Sequence, residues 1–221
     1  YNEDISISTG INYQYVTGHS ASNNDTHVID NIGNFDNLIL DFSIIQDSTN
    51  DFLYPTNGNS NNFYLKFSPE GLSDDSFYKI KISNKNYYKF NNNNNFIFFA
   101  NNFGLSESLS GNLKTTNAFS LGGLNFKGFD YRGIGPLDNN IYLGGNKYFT
   151  STIGYGSTFL FDDKDNVNLK IFITTGSIWD SDYTQDNDFE IRSSAGLSFD
   201  LLTAIGPISL SYALPIKKNI N

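Results

Sequence analysis

Apolar and polar residues alternate with a period of two along most of the chain, the pattern of a β-strand with chemically distinct faces. Ile191, Ala195, Leu197, Phe199 and Leu201 share one face, interrupted by Ser193, while Arg192, Ser194, Gly196, Ser198 and Asp200 share the other. The next stretch repeats it: Ile208, Leu210, Tyr212, Leu214 and Ile216 alternate with Ser209, Ser211, Ala213 and Lys217. Further back, Val167, Leu169, Ile171 and Ile173 alternate with Asn168, Lys170, Phe172 and Thr174. Phe63, Leu65 and Phe67 alternate with Tyr64, Lys66 and Ser68, and Tyr78, Ile80 and Ile82 with Lys79, Lys81 and Ser83. Less regular segments near Ile5–Val16, Asn34–Gln46, Phe96–Gly104 and Lys147–Phe161 bring the expectation to about nine strands. No helical period of useful length occurs, so the chain is expected to be all-β.

The connections tend to alternate in length. Long ones are expected over His19–Gly33, between Leu105 and Asn146, and across Asp180–Glu190; tight ones fall at Asn91–Asn95 and Thr203–Pro207. Short turns on one side and long loops on the other characterise an antiparallel transmembrane barrel. A soluble β-sandwich also alternates, because one face of each sheet is its core. Two features favour the barrel. The polar face is rich in Ser, Gly, Asn and Thr, which suits a wet interior, and Tyr13, Tyr15, Tyr87, Tyr88, Phe159 and Phe161 lie near strand ends, as interfacial girdles do.

Composition sharpens this picture. No window approaches the length of a helical span, and no signal-peptide pattern opens the chain. A mean hydropathy of -0.35 is compatible with barrel strands, whose alternation dilutes hydropathy. Aromatics reach 16% and Met is absent, which implies that Tyr1 is not a natural start and that upstream domains are to be expected. A net charge of -9 argues against a nucleic-acid partner. Without Cys there is neither a disulfide framework nor a thiolate metal site.

Candidate chemistry is sparse. His19 and His27 sit in a polar loop without a second ligand and read as solvated. Asp162, Asp163 and Asp165, like Asp180, Asp182, Asp186 and Asp188, lack the Gly and terminal Glu of an EF-hand and read as turn residues. Gly122-Gly123 and Gly133-x-Gly135 do not join a strand to a helix, so a phosphate-binding reading fails on context. No catalytic constellation is found, and neither an enzyme nor a cofactor is expected.

Five motifs in order carry a resemblance. They are Asp51-Phe52-Leu53-Tyr54-Pro55-Thr56-Asn57-Gly58; the run from Leu121-Gly122-Gly123 through Phe126-Lys127-Gly128-Phe129 and Arg132-Gly133-Ile134-Gly135-Pro136; Leu143-Gly144-Gly145-Asn146; Gly176-Ser177-Ile178-Trp179; and Gly206-Pro207-Ile208 with Tyr212-Ala213-Leu214-Pro215. Together they resemble the barrel of BamA-type outer-membrane protein assembly factors. The second run resembles that family's sixth extracellular loop, which folds back into the lumen. The resemblance implies an incomplete antiparallel barrel spanning residues 1–221, corresponding to the seventh to fifteenth strands of about sixteen. It implies an in-folded loop at about 106–146 and periplasmic POTRA domains upstream.

What the resemblance implies for function is insertion of unfolded outer-membrane protein clients into the bacterial outer membrane, with accessory lipoproteins and the lipid bilayer as partners. A two-partner-type secretion pore and a passive porin or surface barrel are the alternatives. The loop residues implied are Phe126, Lys127, Gly128, Phe129, Arg132, Gly133, Gly135 and Pro136. Gly128 is expected to allow close backbone approach, Phe129 to anchor, and Lys127 to face the wall. The plainer reading of the same run is a surface loop whose glycines permit positive φ. The sequence departs from the family at Lys127, where the family has Arg, and Arg132 follows five residues later. The wall positions matching the family's acids are Gly154 and Thr174; Asp200 and Glu190 are other acids that could take their place.

Overall fold

The computed structural model describes residues 4–18, 32–90, 94–138, 140–161, 164–185, 189–203 and 205–217. Its strands are β1 (Ile5–Gly18), β2 (Gly33–Asp47), β3 (Gly58–Ser68), β4 (Phe77–Lys89), β5 (Asn95–Ser108), β6 (Leu137–Asp138), β7 (Ile141–Tyr142), β8 (Lys147–Phe161), β9 (Lys164–Trp179), β10 (Arg192–Thr203) and β11 (Gly206–Lys217). Nine of them form one sheet in the order β1-β2-β3-β4-β5-β8-β9-β10-β11, every pair antiparallel. The short β6-β7 hairpin lies inside the long connection from β5 to β8, and the alternation gave no sign of it. Among the described residues β1 and β11 do not pair, so the sheet is open.

The two faces are inverted relative to a soluble sandwich. The apolar row is the exposed one: Ile171 is 58% exposed, Ile173 51%, Leu210 62% and Leu214 56%. The polar row beside it is buried, with Ser194 at 0% and Asp200 and Ser198 at 5%. A sheet in water hides its isoleucines and shows its serines. This sheet does the reverse, which excludes the sandwich and fits a barrel wall facing lipid outside and a polar interior inside.

The sheet curls around that interior. A flat sheet would set β3 and β10 about 24 Å apart, five strand spacings. Yet Tyr54, in the turn leading into β3, donates a hydrogen bond to the Leu201 carbonyl of β10 at 3.2 Å. The short connections, β2-β3, β4-β5, β8-β9 and β10-β11, all lie at one end of the sheet. The loops 69–76 and 109–146 and the described parts of 180–191 lie at the other.

Aromatics occupy the outer face toward both ends. Phe149, Trp179 and Phe189 form one cluster, with Trp179 and Phe189 rings 4.8 Å apart, while Tyr88 and Phe99 meet edge-on at 6.3 Å near the opposite end. Tyr13 and Tyr15 point outward and are exposed. Tyr87 departs from the girdle expectation: it turns inward and stacks on Phe98 at 6.1 Å. The side chains of Phe159 and Phe161 lie outside the described residues.

Two irregularities in the alternation have structural causes. Ser193, the polar interruption in an apolar row, stands opposite Thr175 of β9 and donates to its hydroxyl at 3.3 Å, beside a register shift whose extra residue, Ile216, belongs to β11. Phe172, an aromatic in a polar row, points inward, and its ring covers Gly196, where a Cβ would come within 2.7 Å of it. Phe98 and Phe96 do the same over Gly154 and Gly156 of β8. Glycines on one strand thus make room for inner aromatics on its neighbour.

Candidate functional site: the loop seated on the inner wall

The connection 109–146 turns back onto the polar face. Its first part is tethered by Lys79 of β4, whose ammonium donates to the Asn117 and Ala118 carbonyls at 2.7 and 3.1 Å and lies over the Phe119 ring. Phe119 and Gly145 exchange backbone hydrogen bonds at 2.9 and 3.0 Å, closing the base of the loop. Asp182, from the β9-β10 loop, accepts from the Leu113 N–H at 2.6 Å and from the Asn146 amide at 3.0 Å. Asp180 accepts an ion pair from Lys147 at 2.7 Å. These two acids thus bind protein groups; His19, His27, Asp162, Asp163, Asp186, Asp188 and the start of the Asn91–Asn95 tract lie outside the described residues, as does the Asp165 side chain.

The only hydrophobic cluster among the described buried residues lies between loop and wall, not between two sheets. Phe119, Leu121, Phe126 and Ile134 of the loop pack with Ile178 of β9, joined by Phe129 and Tyr148. Phe126 is 1% exposed and approaches Gly176, where a Cβ would stand 2.9 Å from its ring. Phe129 meets Phe126 edge-on at 5.3 Å but is only partly buried. The expected anchor, Phe129, is therefore the supporting ring, and Phe126 is the anchor. The reason is geometric: Gly176 opens a recess in β9 beneath Phe126.

The tip is held close to the wall. Gly128 has φ +96°, and a Cβ there would lie 2.9 Å from the Ser194 Cβ and 3.2 Å from the Leu214 carbonyl carbon. A side chain at that position would meet both β10 and the backbone of β11. Gly122, at φ +122°, faces the Asp130 carbonyl so closely that no Cβ fits. The Gly133 N–H donates to the Asp130 carbonyl at 2.9 Å, Gly135 packs on Ile178, and buried Pro136 accepts from the Leu143 N–H at 3.0 Å.

Lys127 points to the wall, with its ammonium 5.4 Å from the centre of the Phe172 ring. Burial holds its pKa below the ordinary lysine range, and Lys170 adds to the lowering, while the charge of Asp200 opposes both. Asp200 is itself engaged: Lys170 pairs with it at 2.8 Å and the Ser209 hydroxyl donates to it. Glu190 pairs with Arg192 instead. The other two wall positions are closed to a charge, since Phe98 covers Gly154 and the Thr174 and Thr152 hydroxyls bond each other at 2.9 Å. Lys127 thus meets an aromatic face plus a shared carboxylate where a guanidinium fork would need a free one. Arg132, at φ 57°, reaches among the described residues only the Leu143 carbonyl, at 3.4 Å. The sequence reading missed Phe172 as the seat of Lys127, although it is the one aromatic in the polar row of β9.

Lys127→Ala is accordingly expected to raise the rate of protease cleavage within 109–146 by roughly two- to fivefold, the worth of one partly desolvated cation–π contact of about 0.5–1 kcal/mol. Arg132→Ala should leave the rate near that of the parent protein. Equal sensitivity of the two variants would overturn the assignment of Lys127, rather than Arg132, as the charged side chain that helps hold the tip.

Residues 1–221 match the sequence profile of one family, described as the Omp85 superfamily domain. Among solved structures, the crystal structure of BamA from Haemophilus ducreyi lacking POTRA domains 1-3 superposes with a TM-score of 0.86 at 21% identity, over 99% of this chain and 49% of that one. The likeness is one of fold, and the chain spans about half the length of that structure.

Proposed function

The chain belongs to the Omp85 superfamily, and from that membership we propose that it is part of a bacterial outer-membrane β-barrel that assembles and inserts β-barrel clients. The observation that carries the reading is the family match along all of residues 1–221. The loop seated on the inner wall supports it, as does the apolar outer face.

The physics needs no hydrolysable cofactor and no catalytic residue. An unpaired strand edge in hydrocarbon leaves rows of N–H and C=O groups unsatisfied, each costing several kcal/mol. A barrel that can open at one seam offers its own edge as a template, and a client hairpin passes from edge to edge with its backbone bonds kept. In this reading the nine strands are the fixed wall, and the loop braces β9, β10 and β11 from inside by contacts at Phe126, Lys127 and Gly128. POTRA domains upstream and accessory lipoproteins complete the proposed machine.

The test is client folding by the full-length protein in liposomes, with a small outer-membrane protein supplied in urea and its folded fraction read from gel mobility without heating. Faster folding than in empty liposomes is the expected result. Folding no faster than in empty liposomes would overturn the reading, and export of a single dedicated partner in its place would identify a secretion pore.

A further inference from the structure

Charge is segregated in this chain. Its net charge is -9, yet the wall facing the loop from β3 and β4 is cationic. Lys79, Lys81 and Lys85 lie on one face of β4, and Lys66 of β3 stands directly opposite Lys79 in the register. Like charges paired across strands are destabilising, and Lys66 and Lys81 are both near enough to Lys79 to repel it. Lys79 is committed to the loop carbonyls, whereas Lys81 and Lys85 are exposed. Among the described residues none of the four forms an ion pair. The carboxylate opposite Lys66, Asp41, is instead taken by hydrogen bonds from Tyr64 and Asn12.

Lys79, Lys81 and Lys85 border a cavity of about 480 Å³ between the wall and the loop, lined also by Asn102, Asn125 and Thr150 and by no acidic residue. The volume falls in the range of small-molecule sites. Lys81 and Lys85 are about 14 Å apart along the strand, four residues at about 3.4 Å each, so their flexible stems can converge on one multivalent ion between them. Asn102 of the adjoining β5 bonds Ser83 and Thr150, and Asn125 of the loop bonds Gly122 and Ser120, so the rest of the lining is polar but satisfied and the lysines are its charged groups. Lys81 lies 5.8 and 5.9 Å from the Tyr64 and Phe119 rings, and the Asp47 carboxylate acts on Lys85, but neither contact is an ion pair. A bound oxyanion lowers the repulsion that remains along the row.

We propose that the lumen cavity bounded by Lys79, Lys81, Lys85 and the loop binds a small multivalent oxyanion, one bearing phosphate or carboxylate groups. The inference rests on the barrel fold and not on the assembly reading, so either can fail without the other.

The experiment is calorimetric titration of the folded full-length protein with pyrophosphate, and in parallel with citrate to separate a phosphate from a carboxylate ligand. The parent protein is expected to bind at least one of the two, more weakly as salt is raised. K81Q/K85Q should weaken that binding at least about tenfold, the loss of one charge-assisted hydrogen bond. K147Q, whose lysine lies outside the cavity and is paired with Asp180, should bind as the parent does. Gel mobility without heating verifies that all three are folded. Absence of binding by the parent protein, or equal affinity in K81Q/K85Q, or an equal loss in K147Q, would overturn the proposal.

Discussion

Phe126→Ala is expected to release the loop from the wall while leaving the barrel folded. The ring is 1% exposed and sits at the centre of the loop cluster, between Gly176 of β9 and the edge of Phe129. Removing a buried phenylalanine costs about 3–5 kcal/mol through lost transfer energy and the cavity left behind. That cost falls on the loop and not on the sheet, because the strands are joined by backbone ladders that do not depend on the cluster. The remaining ties are polar and local: Lys79 on the Asn117 and Ala118 carbonyls, Asp182 on Leu113 and Asn146, and the Phe119–Gly145 pair at the base. They hold the ends of the loop, and at its tip only the contact of Lys127 with Phe172, worth about 0.5–1 kcal/mol, is left. Limited proteolysis of the folded full-length protein should therefore cut between Leu121 and Pro136 at a rate raised by two orders of magnitude or more, as about 3 kcal/mol implies when cleavage follows the open population. The fast-migrating folded band of the uncut variant should persist without heating. A protected loop in Phe126→Ala would mean that the cluster does not hold it; loss of the folded band would mean that sheet and loop are one cooperative unit.

The strands were legible in the sequence because a wall with lipid on one side and polar surroundings on the other imposes a period of two on every strand. All nine wall strands fall where alternation predicts, with ends extended by a few residues. Alternation is blind to direction, however: Ile171 and Ser198 would alternate in the same way in a sandwich. The Ser, Gly, Asn and Thr of the polar rows, and the aromatics near strand ends, were the signs that the polar side is the enclosed one.

The site was less legible, for reasons that lie in three dimensions. Phe172 as the seat of Lys127 requires β9 to face the loop tip, and Gly196 to leave space for the ring. Phe126 as anchor requires a recess at Gly176, fifty residues away and unmarked in the pattern. The β6-β7 hairpin has two residues per strand, too few to show a period. Motif resemblance located the loop, and packing alone distinguished its anchor from its support.

Direction of the faces is the claim with the widest consequence, and a single charge tests it. Ile171 lies midway along β9 on the outer face, 58% exposed. If water covered that face, Ile171→Arg would be a surface substitution, within about 0.5 kcal/mol of neutral. If lipid covers it, an arginine near the bilayer midplane costs about 2–4 kcal/mol, falling to about 0–1 near the interface. Tyr88→Arg supplies the interfacial control, since Tyr88 is exposed on the same face and is next to last in β4. Equilibrium folding of the full-length protein from urea into liposomes should show a clear loss of stability for Ile171→Arg and little for Tyr88→Arg. The depth dependence carries the argument: a general intolerance of charge would penalise both variants alike, and a water-covered face would penalise neither. Only a hydrocarbon layer centred on the middle of β9 separates them, and it would fix the apolar row outward and the loop, with Lys127, Lys81 and Lys85, on the side away from lipid.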